Sequence, residues 1–388
     1  MQDLLWLLLP VAAASGWWTA RRGQQKKRNK PCFDVSSDYF KGLNYLLNEQ
    51  PDKAIEVFVR MAEVDNDTAE THLALGSLFR RRGEVDRAIK IHQNLVARPT
   101  LSQDQRAHAL FELGEDYMKA GLLDRAEHLF KELIELKLLV PNSLLHLIEI
   151  YQQEQDWMEA IEKSHQYDQE TGQQSGELIA QYYCELAEKS LAEGDLQAFS
   201  QYIKQACIHD KNCARANLLL ADKEKKAQDY SAALKHYVLA ANQDAEFLPI
   251  IIKSLKECHD KLGTNEEMSA FLDSQLEHYS GITPVLYKSD EILSTEGERK
   301  AMEFMAEQLK LKPSVRGLQW LVEHSLEKSE GRAKENLTIL RDLMKSLLDN
   351  NPIYECHHCG FTGKSMHWQC PGCKQWSTVK PIKGIAAE

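Results

Sequence analysis

No two glycines in the 388 residues stand two apart, so the Gly-x-Gly fingerprint of a dinucleotide-binding turn is absent. The chain also lacks a Walker-type phosphate loop, a His-Glu-x-x-His helix and a Gly-x-Ser-x-Gly elbow. Carboxylates are plentiful, but on exposed helix faces they are solvated charge, and the expectation is a protein that is not an enzyme. An excess of positive charge is missing too. The net charge of −11 argues against nucleic acid as the main partner. Of nine cysteines, Cys32, Cys184, Cys207, Cys213 and Cys258 lack paired spacing, which excludes a disulfide scaffold and fits a reducing compartment. Cys207 and Cys213, the nearest two of these five in sequence, read as buried small apolar residues or idle surface thiols.

What is present is concentrated at the C-terminus. Cys356, Cys359, Cys370 and Cys373 form a Cys-x2-Cys, ten-residue, Cys-x2-Cys arrangement. Each short spacing lets a tight turn aim two sulfurs at one point, and two such turns make a tetrahedral thiolate cage for one Zn or Fe ion. Gly360, Pro371 and Gly372 supply the sharp bends such turns need. Four thiolates close the coordination sphere, so hydrolysis is not expected, whereas electron transfer through four-thiolate iron stays open. So short a module cannot bury enough core to fold unaided, which makes metal binding part of its folding energy. His357, His358 and His367 are rival ligands, and four sulfurs are preferred because both pairs are complete.

The N-terminus carries a charge-free apolar run from Leu4 to Ala20, seventeen residues. As a helix it would be about 26 Å long, just enough to cross a bilayer core. Trp6 and Trp17-Trp18 fit the two interfacial belts, and the next ten residues carry six positive charges and no negative one. The positive flank stays in the cytoplasm, so the expected location is the inner membrane, single-pass, with the N-terminus periplasmic and the bulk of the chain cytoplasmic. A cleaved signal peptide would want its positive charge before the apolar run, where only Met1, Gln2 and Asp3 stand.

Between the two ends the sequence repeats. An alanine recurs at Ala54, Ala88, Ala126, Ala160, Ala198 and Ala232, with spacings of 34, 38, 34, 38 and 34 residues. A period near 34 marks tetratricopeptide repeats, each a pair of helices. Twelve residues earlier stand Gly42, Gly76, Gly114, Ile148, Leu186 and Leu220, and nine residues earlier an aromatic wedge, Tyr45, Phe79, Tyr117 and Tyr151. Lys189 and Lys223 break that wedge in the later repeats, and a seventh repeat is centred on Met268. Stacked repeats present a long surface suited to protein segments. Apolar spacing continues to Leu348, with a stripe of Leu337, Leu340, Leu343, Met344, Leu347 and Leu348 on the last helix. The linker after it is short, so the metal module should dock on that helix or an adjacent repeat through Trp368 and Trp376.

The expected fold is therefore all-α: a tetratricopeptide-repeat superhelical solenoid with an N-terminal transmembrane helix and a small C-terminal rubredoxin-like metal ribbon. The expected segments are a transmembrane anchor (1–20), a basic juxtamembrane linker (21–37), repeats (38–275), a helical continuation or cap (276–351) and the four-cysteine module (352–388).

Anchor, array and knuckles in that order, with LGSLFRRRGEVDRAIKIHQ in the repeats and CHHCGFTGKSMHWQCPGCKQWSTVKPIKG at the tail, closely resemble the lipopolysaccharide assembly protein B family over essentially the whole chain. The resemblance implies an inner-membrane adaptor that regulates lipopolysaccharide synthesis by helping an FtsH-type membrane protease degrade the LpxC-type deacetylase. It further implies a PbgA/YejM-type inner-membrane regulator at the anchor, contacts with other lipopolysaccharide assembly proteins, and metal thiolates at Cys356, Cys359, Cys370 and Cys373. Self-association is left open. Rubredoxin-like electron transfer and a general membrane-anchored repeat scaffold are the alternatives. Nucleic-acid binding by the ribbon would need Lys364, Lys374, Lys380 and Lys383, which read as ordinary solvated charge.

Overall fold

The computed structural model describes residues 40–42, 44–45, 50–64 and 69–385. The expected anchor, the basic linker and Cys32 lie outside the described residues. Among the described residues no helix is long and apolar enough to cross a membrane. The chain divides between Ile150 and Tyr151 into two compact units.

The first unit holds α1 (Pro51–Val64), α2 (Ala69–Arg82), α3 (Val85–Val96), α4 (Gln103–Lys119), α5 (Leu123–Glu135) and most of α6 (Val140–Glu154). The second continues with α7 (Trp157–Thr171), α8 (Gly176–Glu193), α9 (Leu196–His209), α10 (Ala214–Lys226), α11 (Tyr230–Gln243) and a 3-10 turn at Ala245–Phe247. Then follow α12 (Leu248–Leu262), α13 (Asn265–His278), α14 (Thr283–Thr295), α15 (Glu298–Leu311), α16 (Val315–Lys328) and α17 (Gly331–Asn350). The tail forms β1 (Tyr354–Cys356), β2 (Thr362–Gly363) and β3 (Val379–Pro381), an antiparallel sheet in the order β2-β1-β3. The protein is thus a mostly helical repeat solenoid closed by a small ribbon.

The repeat period is visible as burial. Ala54, Ala88, Ala126 and Ala160 are wholly buried, each the fourth residue of its helix. The same position in α9, α11 and α13 is held by Phe199, Ala233 and Met268, all buried. Ala198 and Ala232 are only half-buried, so the register of the fifth and sixth repeats runs one residue later than the alanine spacing suggests. The correction restores a small residue on the partner helix. Ala187 and Ala221 are wholly buried, in the clusters that hold Ile203 and Tyr237, whereas Leu186 and Leu220 are half-buried. The wedge position moves likewise, from Lys189 and Lys223 to Ser190 and Glu224.

In the first three repeats the small residue is glycine for a steric reason. A Cβ on Gly76 would come within 2.2 Å of the His92 ring, and one on Gly114 within 2.7 Å of Phe130. Turns between paired helices in the second unit end on an aspartate cap: Asp156, Asp195 and Asp229 each accept from backbone N–H groups of the next helix.

A polar network ties α2, α4 and α6 within the first unit. Arg80 reaches Glu112 (2.7 Å), Glu115 (2.6 Å) and Asp116 (2.7 Å), and Asp116 also meets His92 at 2.6 Å. His146 Nε2 lies 3.3 Å from Glu115. Burial alone would lower the His146 pKa, but Glu115, with Glu149 beyond it, raises it to about 9. The folded pKa lies above the unfolded value, so this stabilisation is complete below about pH 6.5 and is lost as pH rises through 9. Hydrogen-exchange protection of α4 and α6 should therefore fall between those values. A His146→Gln variant should lack that part of the pH dependence.

The last helix departs from expectation. Of its predicted stripe only Met344 is buried, packing with Val322 and Leu326 of α16, while Leu340, Leu343 and Leu347 stay exposed. The ribbon does not cover them.

Candidate metal centre

The cage is assembled by two similar knuckles. In the first, Gly360 N–H donates to the Cys356 carbonyl at 2.9 Å, and Cys356 N–H to the Phe361 carbonyl at 2.7 Å. In the second, Lys374 N–H donates to Cys370 at 2.9 Å, and Cys370 N–H to Gln375 at 2.8 Å. The residue after each pair has positive φ, 73° at Gly360 and 60° at Lys374. Glycine takes that conformation freely, whereas lysine costs on the order of 1 kcal/mol there. Strand β1 places Cys356, and its antiparallel register sets Cys356 opposite Val379.

The four sulfurs all lie within 4.8 Å of one another, with Cys356–Cys373 and Cys359–Cys370 both at 3.7 Å. A tetrahedron with metal–sulfur bonds of about 2.3 Å has edges of about 3.8 Å, so the residues fit a four-thiolate ion. Protonation points the same way. Burial opposes the Cys356 thiolate, but the Thr378 hydroxyl and the backbone amides of Cys359 and His358 bring its pKa down to about 6. At Cys359 the Phe361 amide favours the thiolate, yet burial and the other three cysteines push the pKa up to about 12. Four thiols so close hold negative charge poorly until a cation shares it. Zinc or iron bound here would supply a closed structural centre, held by Cys356, Cys359, Cys370 and Cys373.

His357 and His358 are exposed, and His367 bonds Ser365 at 2.9 Å, so none of the three enters the cage. The Gly363-Lys364-Ser365 tripeptide starts in β2 rather than at a helix N-terminus, and Lys364 Nζ donates to the Asp349 carbonyl at 2.7 Å.

The ribbon docks inside the second unit, its two tryptophans packing on repeat elements far earlier in the chain rather than on α17. Trp376 Nε1 donates to Gln152 Oε1 at 3.0 Å, and Gln369 to the same oxygen at 3.1 Å. The Trp376 ring meets Trp157 and Tyr182 edge-on at 5.9 and 5.8 Å. Trp368 packs on Phe247 at 5.1 Å. Between these two tryptophans sits the Arg215 guanidinium, 5.2 Å from Trp368 and 5.9 Å from Trp376. Its Nη2 pairs with Glu185 and Glu188, both at 2.8 Å, and its side chain is 1% exposed. Burial would lower the Arg215 pKa, but Glu188 and Glu185 raise it, so the guanidinium stays charged.

One of the lysines taken as solvated is not. Lys380 is buried, pairs with Asp244 and sits 3.9 Å above the Phe247 ring. Lys383 pairs with Glu246 at 3.1 Å. The Val315 N–H closes the contact by donating to the Ile385 carbonyl at 2.7 Å. Sequence named the tryptophans but not Arg215, Gln152 or the lysine partners.

Comparison with known proteins bears on the tail and on the whole chain. Residues 354–381 match the rubredoxin metal binding domain, and residues 71–105 a tetratricopeptide repeat. The chain is 38% identical over 386 residues to lipopolysaccharide assembly protein B of Escherichia coli strain K12, covering 99% of each chain. It is 32% identical over 391 residues to the protein of that name from Haemophilus influenzae, covering 98% of each. Among solved structures, the C-terminal part of a TPR repeat-containing protein from Cytophaga hutchinsonii aligns with 69% of this chain and 98% of that one, at 13% identity and a TM-score of 0.40.

Proposed function

The chain belongs to the lipopolysaccharide assembly protein B family, and from that membership we propose that it is a non-enzymatic adaptor of lipopolysaccharide assembly, tethered to the inner membrane. Its repeats hold protein partners. The partners in this reading are an FtsH-type membrane protease and the LpxC-type deacetylase that the protease degrades, with a PbgA/YejM-type regulator acting at the anchor. The N-terminus is periplasmic and the repeats and ribbon are cytoplasmic.

The observation that supports an adaptor is the docked ribbon. Its metal cage has no open ligand position, and its aromatic face is spent on α7, α8 and the Arg215 clamp. A closed centre used as a fastener suits a scaffold that must keep one shape. Tethering then replaces a three-dimensional search by a high local concentration near membrane-bound partners.

In cells whose only copy lacks residues 1–20, the chain should stay folded and soluble while the deacetylase accumulates. Normal deacetylase turnover in those cells would remove the tether from the mechanism.

A further inference from the structure

Among the described residues, one pair of sulfurs outside the metal cage is close. Cys184, in the middle of α8, and Cys213, the residue that caps α10, have their Sγ atoms 3.8 Å apart. Both are buried in one cluster with Phe199, Ile203 and Ala206, and Cys207 packs at its edge. The pair is separated by 29 residues in sequence, so nothing in the spacing announces it. Cys213, 2% exposed, is among the residues that line a cavity of about 940 Å³ between the ribbon and the repeat helices, along with His209, Asp210, Arg215 and Trp376.

The surroundings treat the two sulfurs differently. The hydrogen bond shared with Cys184 lowers the Cys213 pKa against the effect of burial, and the Ala216 N–H and the Arg215 charge act in the same direction. Cys184 is raised, first by the same hydrogen bond and then by burial. A thiol at a cavity wall, backed by a second thiol buried behind it, is the arrangement of an attacking and a resolving cysteine.

We propose that Cys184 and Cys213 are an oxidisable dithiol, a site at which a hydroperoxide is reduced and a disulfide ties α8 to the start of α10. The Cys213 sulfur attacks the peroxide O–O bond. One oxygen is transferred to sulfur as a sulfenic acid, and the other leaves as water, or as an alcohol from an organic peroxide, with the Cys213 proton. The Cys184 sulfur then attacks the sulfenic sulfur, the S–S bond forms, and the S–O bond breaks to release water with the Cys184 proton. Two thiols lose two electrons in all, and the peroxide gains them.

Closing 3.8 Å to a bond of about 2.05 Å requires a shift of under about 2 Å. Cys213 can supply it because it caps a helix rather than sitting within one. The shift acts two residues from Arg215, which the ribbon tryptophans enclose.

The test exposes the full, zinc-loaded chain to hydrogen peroxide, then denatures, alkylates free thiols and maps the peptides by mass spectrometry. The expected product is a cross-linked peptide joining Cys184 to Cys213, lighter by two hydrogens and lost on reduction. A Cys184→Ser variant should lose the cross-link and leave Cys213 as a sulfenic acid trapped by dimedone. Recovery of Cys184 and Cys213 as alkylated thiols while Cys207 or the ribbon cysteines oxidise would overturn the assignment. So would a cross-link from Cys207.

Discussion

Stripping the metal from the intact protein should unfold residues 352–385 while leaving the helices folded. Structural zinc in small modules contributes roughly 10–16 kcal/mol of apparent folding energy near neutral pH. The ribbon has little else of its own. Its buried core is Cys356, Cys370 and Val379, two of which belong to the cage itself. Limited proteolysis after chelation should therefore cut between 352 and 385, and Trp368 and Trp376 should move to a wetter environment, read as a red shift in fluorescence. The double variant Cys356→Ser, Cys359→Ser should behave as the chelated protein does. Resistance to protease with metal fully removed would mean that docking on the repeats alone folds the ribbon.

The second large effect belongs to Arg215. Removing one partner of a buried, hydrogen-bonded charge pair costs on the order of 3–5 kcal/mol. Arg215→Ala should fall at the lower end, about 3 kcal/mol, because Glu185 and Glu188 keep side-chain exposures of 26% and 40% and can rehydrate. The loss should appear as reduced exchange protection in α8 and α10 and as release of the ribbon. Arg215→Lys should rescue little, since an ammonium cannot lie flat between two indoles while forking to two carboxylates. A cost below about 1 kcal/mol would shift the main fastening to Lys380–Asp244 and the backbone bond from Val315 to Ile385.

The contrast between cage and clamp explains what the sequence made legible. Cys-x2-Cys is local geometry, written within four residues, so all four ligands could be read without a fold. The docking surface is not local. Gln152 and Trp376 are 224 residues apart, and no spacing rule relates Arg215 to either ribbon tryptophan. Only stacking of the intervening helix pairs brings them together. Lys380 escapes sequence reasoning for the same reason: its carboxylate partner, Asp244, lies more than 130 residues back.

In the fifth and sixth repeats the alanine spacing does not mark the buried position. In the sixth repeat Ala232 and Ala233 are adjacent, and the alanine spacing alone prefers the wrong one. In the fifth, the buried position is Phe199, so a search for alanine lands on its neighbour. Burial settles both, because the facing residue must be small where the inserted one is large. The stripe on α17 was legible as amphipathic, but its partner was not. Met344 alone finds a buried place, against α16.

In the proposed function the metal-stapled ribbon and the repeats act as one partner-holding scaffold. Cross-linked capture from native membranes, comparing the intact chain with the Cys356→Ser, Cys359→Ser variant under conditions where the helices remain folded, tests it most directly. The variant should lose the protease and deacetylase captured by the intact chain. Capture of the same partners at the same yield would contradict it and leave the ribbon as a stability clip.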